Sequence, residues 1–128
     1  MKRIAVLLAA LVVAACSGRQ PAPGSYVQTD DLGRKEIHIV HGDCVALNLE
    51  DSSGTMLASV GPFEKKGRYP HYTYRYRQGG SDITITARFA DDGQLEAKLA
   101  GRVVWGSTTV EVETPNWLVF SANFQQTE

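Results

Sequence analysis

The stretch HYTYRYRQGGSDITITARF, residues 71–89, limits the possible folds more than any other part of the chain. Aromatic and β-branched residues alternate with polar ones on both sides of Gly79-Gly80, which is the period of a half-buried strand. A Gly-Gly pair suits a two-residue hairpin loop, and that loop sets the register. Tyr76 then faces Ile83, Tyr74 faces Ile85 and Tyr72 faces Ala87, while on the other side Arg77 meets Asp82 and Arg75 meets Thr84. A slip of one residue inverts every side chain, so the coincidence of apolar with apolar and charge with opposite charge selects this pairing.

Later turns choose the same face. Asp91-Asp92-Gly93 suits a three-residue loop with Gly in the left-handed position. It pairs Phe89 with Leu95, Ala87 with Ala97 and Ile85 with Leu99, and places Arg88 opposite Glu96. Gly106-Ser107 pairs Val103 with Val110, Gly101 with Val112 and Arg102 with Glu111. A loop at Thr114-Pro115-Asn116 then predicts a hairpin with Leu118 against Val112 and Phe120 against Val110; Pro115 stands in the turn, where no ladder N–H is needed. In the first half, the Asp51–Gly54 turn predicts Leu49 opposite Met56 and Leu47 opposite Ala58. Gly61 to Pro70 (GPFEKKGRYP) reads as one long irregular link.

Independent turns that agree on one apolar face are evidence for a fold. They predict an all-β, up-and-down antiparallel meander of eight or nine strands over 25–128. So many strands with one apolar face must bury it, and closing into a small barrel does so while removing both edges. A two-sheet β-sandwich is the alternative. Ala58, Ala87, Ala97 and Gly101 are small residues on the inward face, so an internal void is compatible with the pattern.

HIVHGDC, residues 38–44, is the nearest approach to a chemical motif. A three-residue loop at 41–43 pairs Ile39 with Val45 and Ile37 with Leu47, which keeps apolar residues together and separates His41 from Cys44. His38 and His41 fall on opposite faces of a strand, and their spacing matches no zinc pattern. Cys44 reads as a buried, unreactive thiol. No paired acids, oriented nucleophile or phosphate-binding loop is present, so the sequence points to a non-enzyme with neither cofactor nor metal.

Two groups remain as binding candidates. Tyr72, Tyr74 and Tyr76 share a face; they fit the core, with hydroxyls reaching a barrel end, or line a wet pocket. Lys65, Lys66 and Arg68 form a basic cluster, followed by His71, Arg75 and Arg77. The cluster reads either as a solvated loop or as a contact for an anionic envelope polymer or an acidic partner protein.

The N-terminus is of another kind. Met1-Lys2-Arg3 is basic, and Ile4 to Ala15 contains only Ile, Ala, Val and Leu. Twelve such residues in a helix cover roughly 18 Å, against the ~30 Å of a bilayer's hydrocarbon core. The run therefore reads as a signal peptide and not a span. Val13-Ala14-Ala15-Cys16 resembles the lipobox of bacterial lipoproteins. The resemblance implies cleavage before Cys16, lipidation of that cysteine and attachment to a membrane. With Ser17 after it, and not Asp, it implies the outer membrane, facing the periplasm. Residues 1–15 are then discarded, and 16–24 form a lipidated, flexible tether. Losing Lys2 and Arg3 takes the net charge from −1 to −3, which argues against nucleic acid as a partner.

The strand plan resembles small periplasmic and lipocalin-like β-barrels. Gly24-Ser25-Tyr26 is similar to the Gly-x-Trp of lipocalins, with Tyr in the Trp position. Together these features predict a lipid-anchored cell-envelope protein whose barrel binds an envelope component or partner protein. A lipocalin-like carrier of a small apolar ligand is the alternative, and the occupancy of the interior separates the two.

Overall fold

The computed structural model describes residues 20–123; the apolar N-terminal run and Cys16 lie outside them. Ten strands follow one another: β1 (Gly24–Asp30), β2 (Gly33–Val40), β3 (Asp43–Glu50), β4 (Met56–Val60), β5 (Glu64–Arg68), β6 (His71–Gln78), β7 (Ser81–Phe89), β8 (Gln94–Trp105), β9 (Thr108–Glu113) and β10 (Leu118–Asn123). All ladders are antiparallel and belong to one sheet, ordered β4-β3-β2-β1-β10-β8-β7-β6-β5, with β9 also on β8. A two-sheet sandwich is thus not formed, and the count exceeds the expected eight or nine.

The additional strand is β5. Residues read as an irregular link contain Glu64–Arg68, paired with β6 from Glu64↔Arg75 to Arg68↔His71. Its five residues are all exposed, so no apolar alternation marks it.

The hairpins at Gly79-Gly80, Asp91–Gly93 and Gly106-Ser107 have the registers that the side-chain pattern predicts. Three other expectations are corrected. Between β2 and β3 the loop is His41-Gly42, both with positive φ, and Ile39 faces Cys44. A bulge there leaves Val45 39% exposed and brings Cys44 to 0%. Between β3 and β4 a second bulge sets Leu49 opposite Ala58 and Leu47 opposite Val60, so Met56 is exposed.

The third correction concerns β9 and β10, which do not pair with each other. Leu118 lies opposite Ala97 and Phe120 opposite Leu95, both on β8. One edge of β8 therefore serves two strands: its first part binds β10 and its last six residues bind β9. Thr114 holds the fork, since its Oγ accepts from Leu99 N–H and its own N–H donates to the Leu99 carbonyl, each at 2.9 Å.

The strand order forces curvature. β4 and β5 stand at opposite ends of the path, yet only Gly61–Phe63 separates them. Eight steps of ~4.8 Å would hold them about 38 Å apart in a flat sheet. Three linking residues reach at most ~14 Å. The sheet curls until its ends approach, but it is not closed into the expected barrel, because no ladder joins β4 to β5. A backbone hydrogen bond from Phe63 N–H to the Cys44 carbonyl, at 2.9 Å, bridges the seam.

Curling buries the common apolar face. Ile37, Ile39, Leu47, Ile83, Ile85, Leu95, Leu99 and Phe120 are fully buried, and Tyr26 and Tyr74 fill the space between them. The centre is packed, so the small inward residues leave no large void there: Ala58 and Ala97 are themselves 0% exposed. Gly101 is small for a different reason. Its φ is +136°, and a Cβ there would strike the Asp82 carbonyl oxygen of β7.

Candidate functional site

The predicted site residues separate by strand parity. Tyr74 is fully buried and its hydroxyl donates to the Gly42 carbonyl at 2.8 Å, tying β6 to the β2–β3 turn. Burial holds its phenol well above the ordinary value. Tyr72 is buried against Phe89, with ring centroids 5.9 Å apart and nearly perpendicular planes. Tyr76 packs at 5.5 Å on Phe63. Tyr72 and Tyr74 belong to the buried core, and the partly buried Tyr76 packs against it; Tyr72 also lines a surface groove with Lys66 and Thr73.

The basic cluster divides in the same way. Lys65 faces the end of the curled sheet, where Nζ lies 3.3 Å from Asp43 and 5.4 Å from the centre of the Tyr72 ring. Lys66 and Arg68 face outward. Arg75 and Arg77 are turned to Asp82, at 3.2 and 4.0 Å.

Outward parity brings other residues beside Lys66. One cross-strand row runs Lys66–Thr73–Thr86–Lys98, and the next runs Arg68–His71–Arg88–Glu96. Trp117, the residue before β10, lies over these rows. The Arg88 guanidinium is 4.0 Å from its ring centroid and the Lys98 ammonium 5.2 Å, which are cation–π distances. Between Trp117 and Lys66 lies a shallow groove of 510 Å³, floored by Thr73 and Thr86 and edged by His71.

The electrostatics of this groove are one-sided. Arg88 binds Glu96 through Nε at 3.0 Å and Nη2 at 2.7 Å. Lys66, Arg68 and Lys98 have no carboxylate partner among the described residues. The groove thus offers positive charge, two hydroxyls and a half-buried indole, a set suited to an anionic ligand with flat or apolar faces. Sequence reasoning placed Arg88 on the outer face only as the partner of Glu96 and passed over Lys98 and Trp117. The signal available was parity: Leu118 faces inward, so the indole before it faces out.

A second cluster has the order of groups seen in serine hydrolases. Ser25 Oγ is 3.0 Å from His38 Nδ1, and His38 Nε2 is 3.4 Å from Glu36 Oε1. The chain continues through Asn48, which donates to Glu36 at 3.2 Å, to Ser59, which donates to Asn48 at 2.6 Å. Ser25, the second residue of β1, is 7% exposed and lies within the ladders, paired with His38 on one side and Asn123 on the other. Acyl transfer needs donors converging on a developing oxyanion, whereas amides in a ladder point along it to the neighbouring strands. The row is a polar cross-strand ladder on the outer face.

Cys44 is fully buried, its Sγ 3.6 Å from the Ala46 carbonyl, and burial pushes its thiol up to about 12. Among the described residues no group of three or more His, Cys, Asp or Glu side chains comes together to hold a metal. No protein-family model, curated protein or solved structure matches this chain.

Proposed function

We propose that this is a lipid-anchored envelope protein, tethered through Cys16, whose domain binds an anionic component of the bacterial envelope through the groove beside Trp117. The observation that carries this reading is the placement of Trp117 among Arg88, Lys98 and Lys66 on one outer face. In a chain of net charge −1, two lysines without a carboxylate partner among the described residues, Lys66 and Lys98, beside an aromatic ring mark a place where negative charge is welcome. In this reading the curled sheet acts as the wall of a small barrel, with Gly61–Phe63 as its seam. The packed interior weighs against a lipocalin-like carrier holding its ligand at the centre.

The groove is tested with Trp105→Phe as background, which leaves Trp117 as the single indole. Titration with dextran sulfate is expected to change its fluorescence saturably, and neutral dextran to leave it unchanged. The pair Lys66→Ala and Lys98→Ala is expected to weaken binding by about tenfold. Equal response to the neutral polymer, or an unaltered affinity in the double variant, sinks the proposal. The anchor is tested separately: Cys16→Ser is expected to move the protein from the membrane to the soluble fraction.

A further inference from the structure

The forked edge of β8 leaves an opening elsewhere. β10 covers β1 only from Ser25 to Val27, so Gln28–Asp30 have a ladder partner on β2 alone. β9 has left with the other arm of the fork. The gap between them is a cleft of 340 Å³. Its walls are apolar: Leu49 and Leu57 from β3 and β4, Val110 and Val112 from β9, and Leu118 from β10. Leu32, in the β1–β2 turn, stands at the lip with 83% of its surface exposed. The volume lies in the range of small-molecule sites, and is about twice that of a dry cavity that takes up benzene.

Two cations line this cleft, and one of them, Arg34, is taken up by Glu50 at 3.4 Å and Glu36 at 3.7 Å. The other, Lys35, has the inward parity of Ile37 and Ile39 and lies opposite Leu49. Its side chain is only 14% exposed. The ammonium meets Gln28 Oε1 at 3.5 Å and Asp30 at 3.8 Å, both at the long limit of contact, and no other partner among the described residues. Three further acids line the cleft, Glu50, Glu111 and Glu113. Glu111 and Glu113 have the outward parity of β9 and are exposed, and Glu50 is held by Arg34 at 3.4 Å. A half-engaged ammonium at the mouth of an apolar cleft matches a molecule with an apolar body and an anionic head.

We propose that the cleft between β9 and the β1–β2 hairpin binds a small anionic amphiphile, its chain against Leu57 and Val112 and its head on Lys35. The site is separate from the Trp117 groove and does not depend on that groove's function. Carboxylate and phosphate heads share this chemistry, so the full domain is titrated with decanoate and with decyl phosphate, and with decyltrimethylammonium as the cationic counterpart, all below micelle formation. The expected result is saturable movement of the Leu32, Lys35 and Val112 amide resonances with either anion; the tighter of the two identifies the head. The cationic probe is expected to bind at least tenfold more weakly. Lys35→Met keeps the apolar stem and is expected to abolish that preference while retaining the chain's contacts. Val112→Trp, or Val110→Phe if the former does not fold, is expected to fill the cleft and remove binding. The proposal is overturned by equal affinity for anionic and cationic probes, by an unchanged preference in Lys35→Met, or by resonance changes centred outside the cleft.

Discussion

At the scale of single residues, two side chains show how burial sets chemistry. Cys44 has no exposed surface and a thiol raised to about 12. The thiolate is the reactive form, so in a Cys16→Ser background the folded protein is expected to stay inert to a disulfide exchange reagent at pH 8 and to react fully in denaturant. Glu36 shows the balance of opposing effects. Burial alone would raise its carboxyl, but the Asn48 hydrogen bond, the His38 charge, the Ser25 hydroxyl and the Arg34 charge outweigh it and hold the group below 4.5. A carboxyl lowered in the fold adds stability above its unfolded value and loses it as pH falls through the folded value. Acidification from pH 5 to 3 is therefore expected to lower the urea midpoint, and Glu36→Gln to lessen that fall. Gly101 adds a steric constraint: with φ at +136° and the Asp82 carbonyl in the way, Gly101→Ala is expected to cost about 2 kcal/mol or more in urea unfolding.

At the scale of elements, the β2–β3 hairpin carries its own tension. His41 occupies a left-handed conformation, φ 53°, in a two-residue turn where Asn-Gly is the favoured pair. His41→Asn keeps Gly42, whose carbonyl receives Tyr74, and is expected to raise stability by about 1 kcal/mol in the same urea assay. This hairpin also marks where reading the chain in steps of two stops working. At Gly79-Gly80 the turn and both apolar faces agree without an extra residue, and the whole register is visible in the sequence. At Val45 and near Glu50 a bulge adds one residue, and alternation then points Val45 inward where the fold turns it out. Parity has a second blind spot. It decides which face a residue takes but not which strand lies beside it, so Phe120 is legible as core while its neighbour, β8 and not β9, is not. The Trp117 groove and the Lys35 cleft both depend on that choice of neighbour, which explains why the basic residues were evident in the sequence but their surroundings were not.

At the scale of the molecule, β10 holds two bodies together. Four strands precede it on one side of the sheet order, and on the other side lie the five from β5 to β9. Among the described residues, ladders pass between them only through β10, which binds β1 at Ser25–Val27 and β8 at Gln94–Ala97. Phe120 is its fully buried anchor. Phe120→Ala is expected to destabilise the fold by about 3–5 kcal/mol while unfolding remains a single cooperative transition; two separated transitions would show that the halves stand alone. The same arrangement dictates an order of events. A chain delivered N-terminus first presents both halves before the strand that joins them. The sheet is completed late, by contacts distant in sequence, the kind that form slowly. Until β10 is in place, the edges of β1 and β8 remain open to other chains, so mispairing is most favoured in the interval before the last strand docks, and shielding of unpaired strands matters most then.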